Sequence, residues 1–188
     1  MLKVLVTFAV KDELVEIKWP DVEFYYLRTG IGKVKSAFRV SDAINQVQPD
    51  LVLNLGTAGT ITHQVGDILV CRRFIDRDLQ KIKDLELEDE ISTADLLHEK
   101  GYCSDWVGEA TCNTGDSFLT ELTDVDGDVV DMEAFAQAFV CLDKQIPFIS
   151  VKYVTDVIGQ NSVAHWEDKL ADARMGLSHF FNVLYDKI

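Results

Sequence analysis

Two acids set the chemistry this chain can do. Glu133 lies in Asp131-Met132-Glu133-Ala134-Phe135-Ala136-Gln137, and Asp156 ends Tyr153-Val154-Thr155-Asp156 after one apolar run. This spacing puts one carboxylate at the start of a helix and the other at the end of the next strand. Both then face one cleft at the carboxyl ends of strands, where open α/β sheets hold small ligands. Two convergent acids can cleave a glycosidic bond through an oxocarbenium-like state, one holding the sugar while the other protonates the leaving group. Singly, each has a plainer reading: Glu133 as a helix-start charge favoured by the dipole, Asp156 as a cap or turn. Their pairing favours the site.

Several loops carry further marks. Thr29-Gly30-Ile31-Gly32-Lys33-Val34 joins a strand to a helix, and its glycines allow a tight turn with backbone near a ligand. It lacks the third glycine of a dinucleotide fingerprint. Gly56-Thr57-Ala58-Gly59 follows an apolar strand, with Pro49-Asp50 upstream and Val65-Gly66-Asp67 downstream. Small residues there leave room under a sugar, and Thr57 offers a hydroxyl or an amide. Thr114-Gly115-Asp116-Ser117-Phe118-Leu119 sets an aromatic ring just outside a strand end, and Asp116 fits a turn-fixing role. The first strand ends at Phe8-Ala9-Val10 and runs into Lys11-Asp12-Glu13, an acidic start that a helix dipole also rewards.

Taken in order, these marks resemble the purine nucleoside phosphorylase and nucleosidase superfamily, and within it the 5'-methylthioadenosine/S-adenosylhomocysteine nucleosidases. The resemblance runs from Leu2 to the last helix. It implies Asp156 as general acid toward the purine and Glu13, with Asp12 as its rival, as the group that activates water. It also implies Glu133 and Met132 at the ribose, Phe118 stacking on the base, and Leu119 reading the base edge through its backbone. Thr57, Ala58 and Gly59 would lie beneath the sugar. Val10, Ile31 and Trp166 would wall the 5' substituent, with core packing an equal account of the first two. The reaction so implied is hydrolysis of a purine N-glycosidic bond without metal or cofactor, by a homodimer. Alternatives are a futalosine or other purine nucleoside hydrolase, a phosphorylase, and a catalytically silent nucleoside binder. Phe135, Lys152 and Thr60 depart from the family's pattern, and the stretches 13–30 and 66–115 are short.

These residues need a sheet to hold them. Strand-like runs occur at Leu2 to Phe8, Glu23 to Leu27, Leu51 to Leu55, Asp67 to Cys71, Gly108 to Cys112, Asp128 to Asp131 and Phe148 to Thr155. Several are continuously apolar, as in a sheet covered on both faces. Helical stripes are formed by Val34, Ala37, Phe38, Ser41, Ile44 and Val47, and by Met132, Phe135, Ala136, Phe139 and Val140. A third comprises Trp166, Leu170, Ala173, Leu177, Phe180, Phe181 and Leu184. The expected fold is an α/β three-layer sandwich with a central mixed sheet, residues 1–188 forming one domain. Asp76 to Glu90 reads as an exposed, mobile excursion.

Charge bounds the partners. A net charge of −14 disfavours nucleic acid and anionic membrane, since phosphate binding needs a basic footprint. Cys71, Cys103, Cys112 and Cys141 lack metal or redox spacing, and the chain reads as cytoplasmic with reduced thiols. His63, His98, His165 and His179 lack ligand spacing, and no run reaches the length of a membrane span.

Overall fold

A computed structural model describes the backbone of residues 1–85, 87–102, 108–121, 125–160 and 162–185, and their side chains apart from 83–85, 162–165 and 185. Eight strands and four α-helices occur in these segments. In chain order they are β1 (Leu2–Phe8), β2 (Val22–Arg28), α1 (Lys33–Val47), β3 (Leu51–Thr60), β4 (Ile68–Asp76), β5 (Glu90–Ser92), α2 (Ala94–Glu99), β6 (Ala110–Thr114), β7 (Val129–Asp131), α3 (Ala134–Asp143), β8 (Phe148–Val157) and α4 (Ser162–Tyr185). Short 3₁₀ turns span Lys11–Glu13 and Leu79–Leu85.

The sheet is mixed. β2, β1, β3 and β8 run parallel in that spatial order, and β8 then pairs antiparallel with β4. β4 continues in parallel to β6, and β6 to β7. β7 returns to β3 through the single antiparallel pair Gly59–Val130, so β3, β8, β4, β6 and β7 form a closed ring with β1 and β2 as a flap. The period-2 pleat sorts their side chains to two cores. In β8, Phe148 and Val154 face α1 and α3, whereas Ile149, Val151 and Tyr153 face α4. The expected three layers follow from this division.

The helices match the sequence reading unevenly. On α4, Ala173, Leu177, Phe181 and Leu184 are buried against the sheet as their spacing predicts. On α1 the buried face is Ser36, Val40 and Ile44, while Val34 and Phe38 of the expected stripe are 78% and 74% exposed. Two apolar faces compete on this helix, and the one abutting α3 and the sheet wins. Phe139 of the second stripe is likewise outward, and Gln137 and Ala138 are buried in its stead. α1 ends where Gln48 turns left-handed and Pro49 prevents continuation.

The expected exposed excursion is corrected at its start. β4 runs on to Asp76, beyond the predicted end at Cys71, and both Asp76 and Arg77 are buried. β5 returns along β4 with Phe74 opposite Ile91. Cys71, Cys112 and Cys141 are buried free thiols; Cys103 and the side chain of His165 lie outside the described residues.

Candidate active site

The ends of β1, β2, β3, β6, β7 and β8 and the loops that follow them enclose an open-mouthed cavity of about 660 Å³. Val10 and Glu13 reach it from the turn after β1, and Ile31 from the loop between β2 and α1. Thr57, Ala58 and Gly59 line it from late β3, Phe118 and Leu119 from the loop after β6, Met132 and Glu133 from the link between β7 and α3, and Asp156 from late β8. Trp166 of α4 completes this set, so every residue the sequence nominated except Asp12, the rival of Glu13, lines one cavity. The lining also includes Ala9, Arg77, Ser117, Val130, Asp131 and Ile158.

Glu13 is turned inward and 5% exposed. One carboxylate oxygen accepts from the amides of Ala9 and Val10, at 3.1 Å each. The other accepts from the Thr57 amide at 2.9 Å and the Thr57 hydroxyl at 2.7 Å. Asp12, the rival, is two-thirds exposed and faces Arg174 instead. The turn Val10–Glu13 is thus closed on its own glutamate, which the sequence pattern alone left undecided.

Glu133 occupies the N-cap position of α3 but makes no cap with its side chain. Asp131 does that work, accepting from the Ala134 amide at 2.9 Å. Glu133 is therefore free to face the cavity, where the Gly32 amide donates to it at 2.9 Å. Gly32 sits at φ +100, and this left-handed turn favours glycine there. Burial and the negative charge of Asp131 push the Glu133 carboxyl up to about 8, against partial relief from Lys152 and the Gly32 amide.

Beneath it lies a buried ion pair, Lys152 Nζ to Asp131 at 2.8 Å. Burial alone would raise the Asp131 carboxyl, but the charge and hydrogen bond of Lys152, with the Thr114 hydroxyl and Ala134 amide, hold it below the ordinary range. Burial would discharge Lys152, and Asp131 outweighs that and keeps it a cation. Lys152 is thus the counter-ion of the acid adjoining the Met132-Glu133 pair.

Asp156 is 2% exposed and accepts from the Thr155 hydroxyl at 2.8 Å. A β-carbon on Gly59 would lie 3.0 Å from its second oxygen, so the glycine makes room for the carboxylate. The strand register slips by one residue between Ala58 and Gly59, which aims Asp156 at the cavity.

The loop carrying Phe118 is pinned from two sides. Arg77 donates to the carbonyls of Asn113 (3.1 Å), Gly115 (3.3 Å) and Ser117 (2.6 Å), and to the Asn113 side chain at 3.3 Å. Its guanidinium packs on Gly115, where a β-carbon would meet Nε at 2.6 Å. Asp116 accepts from the Lys33 amide at 2.8 Å and donates its own amide to Asp78 at 3.0 Å. Lys33 Nζ reaches Asp76 and Asp78, each at 2.9 Å. Asp116 therefore fixes the turn, and Phe118 is left 39% exposed with its ring edge-on to Trp166, centroids 6.3 Å apart.

Sequence reasoning missed Arg77. The signal was present: the apolar run Ile68 to Ile75 is broken by Arg72 and Arg73, and reading across them extends the strand and puts Asp76-Arg77 at its carboxyl end.

The closed mixed sheet with this cavity at its strand ends defines an α/β enzyme-type fold with a small-molecule site. A model of the phosphorylase superfamily matches residues 6–108, and the chain belongs to that superfamily. It is 31% identical over 178 residues to a 5'-methylthioadenosine/S-adenosylhomocysteine nucleosidase of Bacillus velezensis, covering 81% of this chain and 76% of the relative. The fold is shared with the Helicobacter pylori 5'-methylthioadenosine/S-adenosylhomocysteine nucleosidase solved with butyl-thio-DADMe-Immucillin-A: TM-score 0.80, 18% identity, 100% of this chain and 99% of that one. It is shared equally with the futalosine hydrolase of the same organism, at TM-score 0.79, 17% identity and coverage of 100% and 98%.

Proposed function

We propose that this protein hydrolyses the N-glycosidic bond of a purine nucleoside, with 5'-methylthioadenosine or S-adenosylhomocysteine as substrate and adenine as product. The observation that carries this reading is the meeting of Glu13, Glu133 and Asp156 in one cavity floored by small residues. The names of the curated relatives support the substrate.

In this mechanism Glu133 and Met132 hold the ribose, and the base stacks on Phe118 with Leu119 at its edge. As the bond from C1' to the purine stretches, its electron pair moves to the base and Asp156 gives a proton to N7. Water adds its oxygen to C1' and passes a proton to Glu13. The products are free purine and the free sugar. Positioned acids and bases each contribute about 10² to 10⁴ in rate, enough for the residues present to drive the reaction.

Water is favoured over phosphate as acceptor by the state of Arg77. Its four Nη hydrogens have protein acceptors in Asn113, Gly115 and Ser117, and its Nε is buried. The cation in the cavity wall therefore serves the loop. A second reading, futalosine hydrolysis, is favoured by the equal fold likeness to the futalosine hydrolase. Screening base release from methylthioadenosine, S-adenosylhomocysteine, inosine and futalosine, with and without phosphate, tests both. Ribose 1-phosphate formation would replace hydrolysis by phosphorolysis, and hypoxanthine-type release alone would replace the adenine nucleosides by futalosine or inosine.

The working unit in this reading is a homodimer in the cytoplasm. Ile31 at the cavity and Val34 and Phe38 on α1, exposed by 43%, 78% and 74%, offer apolar surface for a second copy to cover, and buried free thiols suit a reducing compartment. Sizing at micromolar concentration that gives a fully active monomer refutes the dimer.

A further inference from the structure

Thr57 stands between an aromatic wall and the proposed base. The Trp166 indole N–H donates to the Thr57 hydroxyl oxygen at 2.8 Å, and that oxygen lies 2.7 Å from Glu13. An indole nitrogen donates and cannot accept, so the Thr57 proton cannot point back at Trp166. It points to Glu13. The direction of the chain is thereby fixed from Trp166 through Thr57 to the carboxylate, and successive bonds of one direction strengthen each other.

Glu13 is otherwise held by backbone amides of Ala9, Val10 and Thr57. A carboxylate offers about four lone-pair sites, and these three amides with the Thr57 hydroxyl occupy them. The amides are fixed by the β1 turn and by β3. The hydroxyl alone can rotate, so a water that bonds to Glu13 must share or take its place. What sets that hydroxyl sets how Glu13 meets water. Trp166 reaches across the mouth to do so from α4, while its ring stays edge-on to Phe118.

We propose that Trp166 is a positioning residue for the hydrolytic step, acting on Glu13 through the Thr57 hydroxyl as well as walling the cavity. The inference rests on the reading of Glu13 as acceptor of the water proton. A phenylalanine would keep the wall and the contact with Phe118 but supply no N–H.

A double-mutant cycle on kcat at saturating methylthioadenosine tests this, because wall contacts made equally in ground and transition states move KM and leave kcat alone. Trp166→Phe should lower kcat about 5- to 20-fold, the size of one hydrogen bond to a charged-group relay. Thr57→Val should lower it at least as much, and Trp166→Phe added to Thr57→Val should cost less than twofold more. Thr57→Ser, which keeps the hydroxyl, should retain the full sensitivity to Trp166→Phe. Should the valine protein fail to fold, Thr57→Ala closes the same cycle. Additive losses, or an unchanged kcat in Trp166→Phe, overturn the relay and leave Trp166 a wall. A Glu13→Gln control separates the two layers: activity within a few-fold of the parent defeats the role of Glu13 itself, whereas an inactive Glu13→Gln with an additive cycle defeats only the role of Trp166.

Discussion

Replacing Glu133 by glutamine should make the unliganded protein more stable and less active, with the stability gain growing from about pH 4.5 to about pH 8. The folded-state carboxyl sits at about 8 against an ordinary 4.5, raised by burial and by Asp131. The folded chain therefore binds this proton more tightly than the unfolded chain. By linkage, the contribution of the neutral group is whole below pH 4.5 and is lost as the pH rises through about 8. At about 1.4 kcal/mol per pH unit the full interval corresponds to an upper bound on the order of 5 kcal/mol. Glutamine keeps the oxygen that accepts from Gly32 and never ionises, so it escapes this penalty. At pH 4.5 parent and variant should unfold within a degree or two of each other, and by pH 6 about 2 kcal/mol of the difference should already have opened. At pH 9 the variant should melt higher by up to on the order of 10 °C, given about 2 to 4 °C per kcal/mol for a chain of this size. Thermal unfolding at these pH values, without ligand, is the assay. A gap that does not widen between pH 4.5 and pH 9 would refute the reasoning. Adenine release should meanwhile fall, since the amide donates where a ribose hydroxyl must be accepted.

Asp156→Asn should lower turnover by about 10² to 10⁴ with little change in binding, because the amide keeps the size of the carboxylate but cannot protonate the base; a loss of only a few-fold in released adenine removes Asp156 from the mechanism. Lys152→Met should strand the buried Asp131 charge and cost about 3 to 5 kcal/mol in denaturant unfolding, and adding Asp131→Asn should recover much of it; an unaltered midpoint in the single variant counts against the pair. Gly115→Ala puts a β-carbon 2.6 Å from Arg77 Nε, so the loop must shift. Its KM should rise more than its kcat falls, and wild-type kinetics would show that the clamp on Phe118 does not matter.

The legible parts of the sequence were those governed by local pattern. The α4 stripe held because Ala173, Leu177, Phe181 and Leu184 recur on one face that meets the sheet, and β8 because its run is buried over nine successive residues. Cavity residues were legible where glycines and acids follow strand ends in order. α1 misled because Val34 and Phe38 keep helical spacing with Ile44 while pointing outward. Arg77 was hidden because its role depends on three carbonyls from 36 to 40 residues away. Ring closure at Gly59–Val130 is likewise non-local, and no window of sequence announces it.

That closure has a consequence for motion. Every other junction in the ring is a ladder of several residues, whereas β3 and β7 meet at one pair. The cheapest sub-global opening of the sheet therefore runs along this seam, where the fewest backbone bonds need break. Thr57 to Gly59 lie on one bank and Val130 to Glu133 on the other, so an occupant of the cavity bridges the gap. If a ligand ties these banks together, hydrogen exchange should show amide protons of 57–59 and 130–133 exchanging faster in the empty protein than in the liganded one, and equal rates would show that the seam does not open first.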